Sequence, residues 1–156
     1  MPALLILAPA AADSGSVLAM ARIGVALNAS PIVVALPPIL DAPPGSRIVR
    51  IKPGSTPIAA IRLGMAQLAN TTATSVLLWP HAAADMRVES LRTLLDAAER
   101  EPASMIAFAD SALDLTPVIV PRDAWLEVVT LGEGGLDAVA RRRRVARVEP
   151  AGPSTT

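Results

Sequence analysis

The chain has 156 residues, about the length of one domain, and 52% of them are hydrophobic, so a substantial core can be buried. Aromatic residues make up only 2%, so that core must be built from Ala, Val, Leu and Ile. The 14 basic residues balance the 14 acidic ones, which leaves no electrostatic drive toward nucleic acid or an anionic membrane. The absence of cysteine excludes disulfides, thiolate metal sites and cysteine nucleophiles.

The N-terminal stretch MPALLILAPAAADSG has no positively charged segment ahead of its apolar run. That composition is more typical of a buried strand than of a secretory signal. No apolar run reaches the roughly 18 to 20 residues that a membrane-spanning helix needs. We therefore expect a cytoplasmic protein that does not enter a membrane.

Short apolar runs and helical patterns alternate through the first part of the chain. ALLILA (3–8) is wholly apolar, which predicts a parallel strand buried on both faces. Apolar residues then recur at helical spacing over 16–30, with Ser14 or Ser16 as the expected N-cap. PIVVAL (31–36) is a second buried strand.

The middle of the chain repeats this alternation. RIVRI (47–51) alternates polar and apolar residues, which predicts a strand nearer the edge of the sheet. Residues 53–70 open with turn residues and continue as a helix capped by Ser55 or Thr56. TSVLLW (74–79) is the next buried strand.

The last part adds an amphipathic helix over 87–100, for which Asp85 is the expected cap. Further elements are predicted as strands over 104–110, 116–121 and 144–150 and as helices over 122–132 and 134–143. The regular alternation favours a parallel sheet with helices on both faces. We predict one doubly wound α/β domain over 1–150 and a mobile tail over 151–156.

Three segments carry a resemblance to a known family: GSTPIAAIRLGMAQL, SVLLWPHAAADMRVESLRTLLDAAE and TPVIVPRDAWLEVVTLGEGGLDAVARRR. They resemble the MobA-like nucleotidyltransferases, the molybdenum-cofactor guanylyl- and cytidylyltransferase group. GSTPIAAIRLGMAQL resembles the family's GMxxSIxxGL helix, and SVLLWPHAAADMRVESLRTLLDAAE its central strand, loop and helix. TPVIVPRDAWLEVVTLGEGGLDAVARRR resembles PVLFPRxxFxxLLxLxGDxGARxLLxRH, the most specific of the three matches. The resemblance implies a nucleotide-diphospho-sugar-transferase-like fold, with one antiparallel strand near the C-terminus.

The family's chemistry depends on a phosphate-binding loop of the type LAAGxSxRMGxxK and on carboxylates that hold Mg²⁺. Here the first strand leads into LAPAAADSGS, without Arg or Lys before position 22. WPHAAADM aligns with the family's WPVDHPLV, so that Ala82 falls on the metal-binding Asp. The chain ends at VEPAGPSTT, without the DxDTPED-like segment that carries a further Asp.

These departures predict a protein that has lost catalysis and acts by binding a partner protein or a small ligand. Ligands of open α/β sheets lie beyond the carboxyl ends of the strands. The candidate ligand-binding residues are accordingly Ala8, Asp13, Ser14, Gly15, Ser16, Thr56, His81 and Asp85. The alternative is an active Mg²⁺-dependent transferase that uses CTP or GTP on a pterin cofactor or sugar phosphate, with a rebuilt site.

His81, the only histidine, raises two further hypotheses. Together with Asp13 and Asp85 it could hold a divalent metal; the simpler interpretation is a loop residue bonded to backbone. Ser-His-Asp catalysis with His81 as base is nominally open, although no GxSxG elbow accompanies it.

Several other motifs have a structural explanation beside a functional one. ADSGS (12–16) could present helix N–H groups to an anion, or cap the helix. GEGG (132–135) could form an anion nest, but a glycine C-cap before a new helix is the simpler interpretation. RRRR (141–144) fits a helix end, so we expect no nucleic-acid partner. Trp79 and Trp125 are expected to be anchors in the core or at an interface. A homodimer could bury Trp125 or the helix over 62–70.

Overall fold

Buried strands and covering helices alternate along the chain, as the sequence pattern predicts. The computed structural model describes residues 2–9, 14–52, 55–130, 132 and 135–150, so the predicted tail lies outside the described residues. The strands are β1 (Pro2–Leu7), β2 (Ile32–Leu36), β3 (Arg47–Arg50), β4 (Ser75–Pro80), β5 (Met105–Phe108), β6 (Val118–Pro121) and β7 (Val145–Val148). The helices are α1 (Ser14–Ala26), α2 (Pro57–Ala66), α3 (Val88–Arg100), α4 (Trp125–Val129) and α5 (Gly135–Ala140), with short 3-10 helices at His81–Ala83 and Arg122–Ala124.

The seven strands form one sheet in the order β3-β2-β1-β4-β6-β5-β7. β1 pairs in parallel with β2 on one side and with β4 on the other, and β2 pairs in parallel with β3. β6 runs antiparallel to both of its neighbours, β4 and β5, whereas β5 and β7 are parallel. The predicted fold class, a mostly parallel sheet with one antiparallel strand, is confirmed.

Helices cover both faces of this sheet. α1 and α3 pack on one face, where the core includes Leu4, Ile6 and Trp79. α2, α4 and α5 pack on the other face, where it includes Leu5 and Trp125. Both tryptophans are buried, as predicted, with Trp79 0% exposed and Trp125 6% exposed. None of the helices among the described residues combines the length and the apolar composition of a membrane span.

The edge strand β3 confirms the interpretation of its alternating sequence. Of its four residues only Val49 is buried, while the central strands β1 and β4 are almost wholly buried. Arg50, at the end of β3, donates hydrogen bonds to the carbonyl oxygens of Pro37 and Leu40 at 2.9 and 2.6 Å. The edge strand thereby holds the loop that follows β2.

The helix ends depend on single side chains. Thr56 caps α2 as predicted, because its Oγ1 accepts from the backbone N–H of Ala59 at 3.2 Å. The helix predicted over 122–132 is shorter than expected: α4 ends at Val129, with Thr130 as its C-cap. The Thr130 hydroxyl donates to the carbonyl of Leu126 at 3.0 Å, which satisfies one of the last carbonyl groups of this short helix.

Arg122 joins the end of β6 to the loop between α2 and β4. Its guanidinium donates to the carbonyl oxygens of Ala69 and Ala73 at 2.9 Å each and also to that of Thr71. The same group lies 4.6 Å from the ring centroid of Trp125, within the range of a cation–π interaction. The Pro-Arg turn that is part of the family resemblance is therefore a structural tie in this chain.

Two glycines allow helices to approach β1 closely from opposite faces. A Cβ built at Gly24 in α1 would lie 2.4 Å from a methyl carbon of Leu4. A Cβ at Gly64 in α2 would lie 2.4 Å from a methyl carbon of Leu5. Both leucines are 0% exposed, so neither has free space to move into.

We expect Gly64→Ala to lower the free energy of unfolding by about 1 to 3 kcal/mol, because the added methyl overpacks the core against Leu5. Alanine has the higher helix propensity, by about 1 kcal/mol, so a purely local effect would have the opposite sign. Urea denaturation measures the change. Ala66→Gly, at an exposed position of the same helix, measures the propensity effect alone. A stabilised Gly64→Ala protein would contradict the close packing.

Candidate functional site

The chain changes direction across the sheet between β1 and β4. From β1 it passes to β2 on one side, and it later returns to β4 on the other side. β1 and β4 are parallel, with Leu7 opposite Pro80, so they end at the same edge of the sheet. Such a switch point is where open α/β sheets form their ligand crevices. The predicted site residues around 8–16 and 80–85 follow these two strand ends.

The first turn of α1 is held by its serine hydroxyls. Ser14 Oγ accepts from the backbone N–H of Asp41 at 3.1 Å, which attaches the loop after β2 to the helix. Ser16 Oγ lies 2.7 Å from His81 Nε2. The prediction that Ser14 or Ser16 caps α1 is wrong, since both lie within the helix. Their hydroxyls instead contact neighbouring segments.

The turn after β4 is fixed by a buried tryptophan. Trp79 Nε1 donates to the carbonyl of Ala83 at 2.8 Å, across the 3-10 helix His81–Ala83. Because Trp79 is fully buried, this bond holds the turn against the end of the sheet. His81 is left half-buried beside α1, and the side chain of Ala82 is exposed.

The Ser16–His81 hydrogen bond joins the two segments that follow β1 and β4. It connects residues 65 positions apart, one in the first turn of α1 and the other directly after β4. The expectation that His81 bonds only to loop backbone is therefore wrong, because its ring nitrogen bonds a serine side chain. Among the described residues, no carboxylate is hydrogen-bonded to His81, so the structure offers a serine–histidine pair without an acidic third member.

The other predicted site residues are more dispersed. Ala8 is buried, and its N–H donates to Ala35 O at 2.9 Å. Thr56 is exposed and is engaged in capping α2, which packs on the opposite face from α1. Gly15 is exposed in the first turn of α1.

Asp85 is exposed and does not cap α3. The N-cap position is Arg87, which makes no capping hydrogen bond with its side chain, so the prediction for Asp85 is wrong. Val88 begins the helix three residues after Asp85, too far for the Asp85 side chain to occupy the cap position. Asp13 lies outside the described residues. Within residues 2–9, 14–52, 55–130, 132 and 135–150, no three His, Asp or Glu side chains are placed to hold a metal ion.

The carboxylate of Asp114 lies against the end of the GEGG segment (132–135). Asp114 Oδ1 accepts from the backbone N–H of Leu136 at 3.4 Å, at the start of α5. Gly135 has φ +58°, and a Cβ there would lie 2.9 Å from Asp114 Oδ2, so glycine is required twice over. Glu133 and Gly134 lie outside the described residues. The described end of the GEGG segment, Gly135, is therefore the start of α5, and it lies beside the carboxylate of Asp114.

Burial raises the pKa of Asp114 above its ordinary value of 3.8, and nearby Asp137 raises it further. The hydrogen bond from Leu136 acts in the opposite direction and only partly offsets the effect of burial. The folded protein therefore holds a proton on Asp114 at pH values where the unfolded chain has lost it.

The arginine run is partly engaged in ion pairs. Arg143 contacts Asp123 at 3.1 Å and Glu127 at 2.9 Å. The hydrogen bond to Glu127 and the charges of both nearby carboxylates raise the pKa of Arg143, which keeps it charged. At least one of the four arginines thus stabilises the end of the chain against α4.

No protein-family model and no curated protein matches this chain. Solved structures match it over nearly its whole length. Rv0371c from Mycobacterium tuberculosis H37Rv superposes with a TM-score of 0.73 at 16% identity, over 98% of this chain and 90% of that one. A 4-diphosphocytidyl-2C-methyl-D-erythritol synthase gives 0.66 at 16% identity, over 97% of this chain and 91% of that one.

The 2-C-methyl-D-erythritol 4-phosphate cytidylyltransferase from Thermus thermophilus gives a TM-score of 0.60 at 20% identity, over 97% of this chain and 90% of that one. The chain has a nucleotidyltransferase-like fold. Identities this low show the fold alone, so assignment to the MobA-like group in particular stays a prediction.

We expect the Ser16–His81 bond to couple the two segments energetically. In a double-mutant cycle of Ser16→Ala and His81→Ala, the effects on the free energy of unfolding should be non-additive by about 0.5 to 1.5 kcal/mol. Urea denaturation of the four proteins measures this coupling. Ser46→Ala serves as the control, because it removes a local hydroxyl bond to Pro43 and should add independently to His81→Ala. Additive effects of Ser16→Ala and His81→Ala would contradict a coupling through the hydrogen bond.

Asp114 should make stability fall as the pH rises. The pKa of Asp114 is raised in the folded state, so between pH 3.8 and that raised pKa the folded protein binds more protons than the unfolded chain. The free energy of unfolding therefore falls as the pH rises through this range. We expect the free energy of unfolding of the wild type, relative to that of Asp114→Asn, to increase as the pH is lowered through it. Urea denaturation of both proteins at several pH values measures this difference. A pH-independent difference would show that burial does not shift the pKa.

Proposed function

We propose that this chain is a MobA-like protein of nucleotidyltransferase fold that no longer transfers nucleotides and acts by binding a partner protein or a small ligand. The Ser16–His81 hydrogen bond is the observation that carries the proposal. In the family pattern, the first loop receives the nucleotide phosphates and the end of the central strand supplies a metal-binding Asp. Here side chains from the corresponding two segments bond to each other at 2.7 Å.

The chemistry of the remaining side chains also supports loss of catalysis. The methyl group of Ala82 cannot ligate Mg²⁺, which prefers oxygen ligands. The first cation of the chain is Arg22, in α1 beyond its first two turns, so the loop after β1 offers none to offset triphosphate charge. On the described residues the donor set does not fit a Mg²⁺–nucleotide complex, and we derive no catalytic step through one.

A binding role is compatible with what the fold retains. The sheet, both helical layers and the strand ends at the switch point are all present, so the scaffold can present a rigid crevice edge. That edge carries polar groups that suit recognition by hydrogen bonds: the hydroxyls of Ser14 and Ser16, the backbone of Gly15 and the imidazole of His81. A cytoplasmic location and the absence of a nucleic-acid partner remain part of the proposal.

The alternative is an active Mg²⁺-dependent transferase for a pterin cofactor or sugar phosphate. Two observations on neighbours in fold favour it. The Thermus thermophilus protein is a 2-C-methyl-D-erythritol 4-phosphate cytidylyltransferase, and Rv0371c has been solved in complex with manganese. In this chain such a site would need ligands beyond His81, for which Asp13 and Asp85 are the candidates from the sequence.

Calorimetric titration with CTP, GTP and UTP in the presence of Mg²⁺ or Mn²⁺ separates the two proposals. We expect no saturable binding at millimolar nucleotide, because the first loop lacks phosphate-binding cations and position 82 lacks a carboxylate. Saturable, metal-dependent binding that is lost in the Asp13→Ala/Asp85→Ala double variant would overturn the proposal in favour of a rebuilt site. Asp96→Ala, on the exposed face of α3, is the matched control for removal of an aspartate.

A further inference from the structure

A cavity lies at the edge of the sheet opposite the Ser16–His81 pair. Its volume is about 300 Å³, at the lower end of the range of small-molecule sites. Leu27, directly after α1, and Leu95 and Ala98 of α3 form apolar walls, and Ile119 of β6 contributes from the sheet. The cavity is thus enclosed by the C-terminal ends of two helices and by the starts of β1 and β4.

Ser104 places a hydroxyl group with no protein partner in the wall of this cavity. The residue is only 6% exposed. Its backbone N–H donates to Glu101 O at 3.1 Å, but within the described part of the chain its hydroxyl makes no hydrogen bond. The hydroxyl oxygen is accessible from the cavity, so a molecule bound there can form a hydrogen bond with it.

The electrostatics of the cavity favour a positive charge. Glu99 of α3 lies at its wall with an exposed carboxylate, and no Lys, Arg or His of the described residues lines it. Arg100 follows in sequence but is not part of the wall. Leu27 directly after α1 and Ala98 and Glu99 in the last turn of α3 line the cavity, and the C-terminus of a helix carries a partial negative charge.

We propose that this cavity binds a small organic cation, namely a primary ammonium group on a compact apolar body. Leu27, Leu95 and Ile119 contact the apolar body, and the hydroxyl of Ser104 gains a hydrogen bond. The carboxylate of Glu99 and the two helix ends stabilise the ammonium group. The site is independent of the crevice at the opposite edge and of the function proposed for it.

Amide NMR spectra recorded during titration with 2-phenylethylamine test the proposal. We expect saturable shifts of the Ser75, Leu95 and Ser104 resonances, while those of Ser16 and His81 stay in place. 3-Phenylpropanoate has a similar apolar body with the opposite charge and should bind much more weakly. Absence of saturable shifts at millimolar amine, or equal binding of the carboxylate, would overturn the proposal.

Three variants assign the binding to the cavity. Ala98→Phe fills the space and should abolish binding, and Glu99→Gln should weaken it about three- to tenfold through loss of one exposed charge. Ser104→Ala should weaken it without filling the cavity, so it decides the question if Ala98→Phe does not fold. Asp96→Asn removes a charge of the same helix outside the wall and should leave the affinity unchanged. Unchanged affinity in Ser104→Ala and Glu99→Gln together would overturn the proposal.

Discussion

The close approach of α1 and α2 to the two faces of β1 is the constraint on which the rest of the structure depends. Gly24 meets Leu4 on one face and Gly64 meets Leu5 on the other, within a strand whose side chains are almost wholly buried. With one Phe and two Trp in the chain, the core cannot fill gaps with large rings. It relies instead on short distances between backbones, which set the position of the α1 N-terminus over the end of β1.

Much of the fold could be predicted because its signals are local. Wholly apolar runs such as ALLILA identify buried strands, and the alternating RIVRI identifies an edge strand. Helix ends are harder to predict. α4 ends at Val129 because Thr130 caps it with its hydroxyl, whereas the sequence offers Gly132 as the more obvious C-terminal signal. The resemblance predicts one antiparallel strand near the C-terminus but does not identify β6 as that strand, since strand direction leaves no mark in an apolar run.

The sequence indicates which segments follow the strand ends at the switch point, but it does not indicate their contacts. The strand ends carried the candidate residues, and His81 was singled out as the only histidine. Its partner Ser16 could not be identified, because the pair is separated by 65 residues and depends on how α1 lies over the sheet. Asp114 beside Gly135 was missed for the same reason, although the unusual density of glycine there was a signal. The cavity at Ser104 is formed by strand starts and helix ends that no single sequence pattern connects.

The position of β5 has a consequence for how the chain folds as it is made. Among the described strands β5 pairs with β6 and β7, and both follow it in the sequence. β1 to β4 can form a continuous half-sheet while synthesis is still under way, whereas the apolar residues MIAF of β5 have no strand to pair with until β6 emerges. During that interval both β5 and the free side of β4 are open to mispairing. α3, already complete, is the element that can cover β5 on the ribosome.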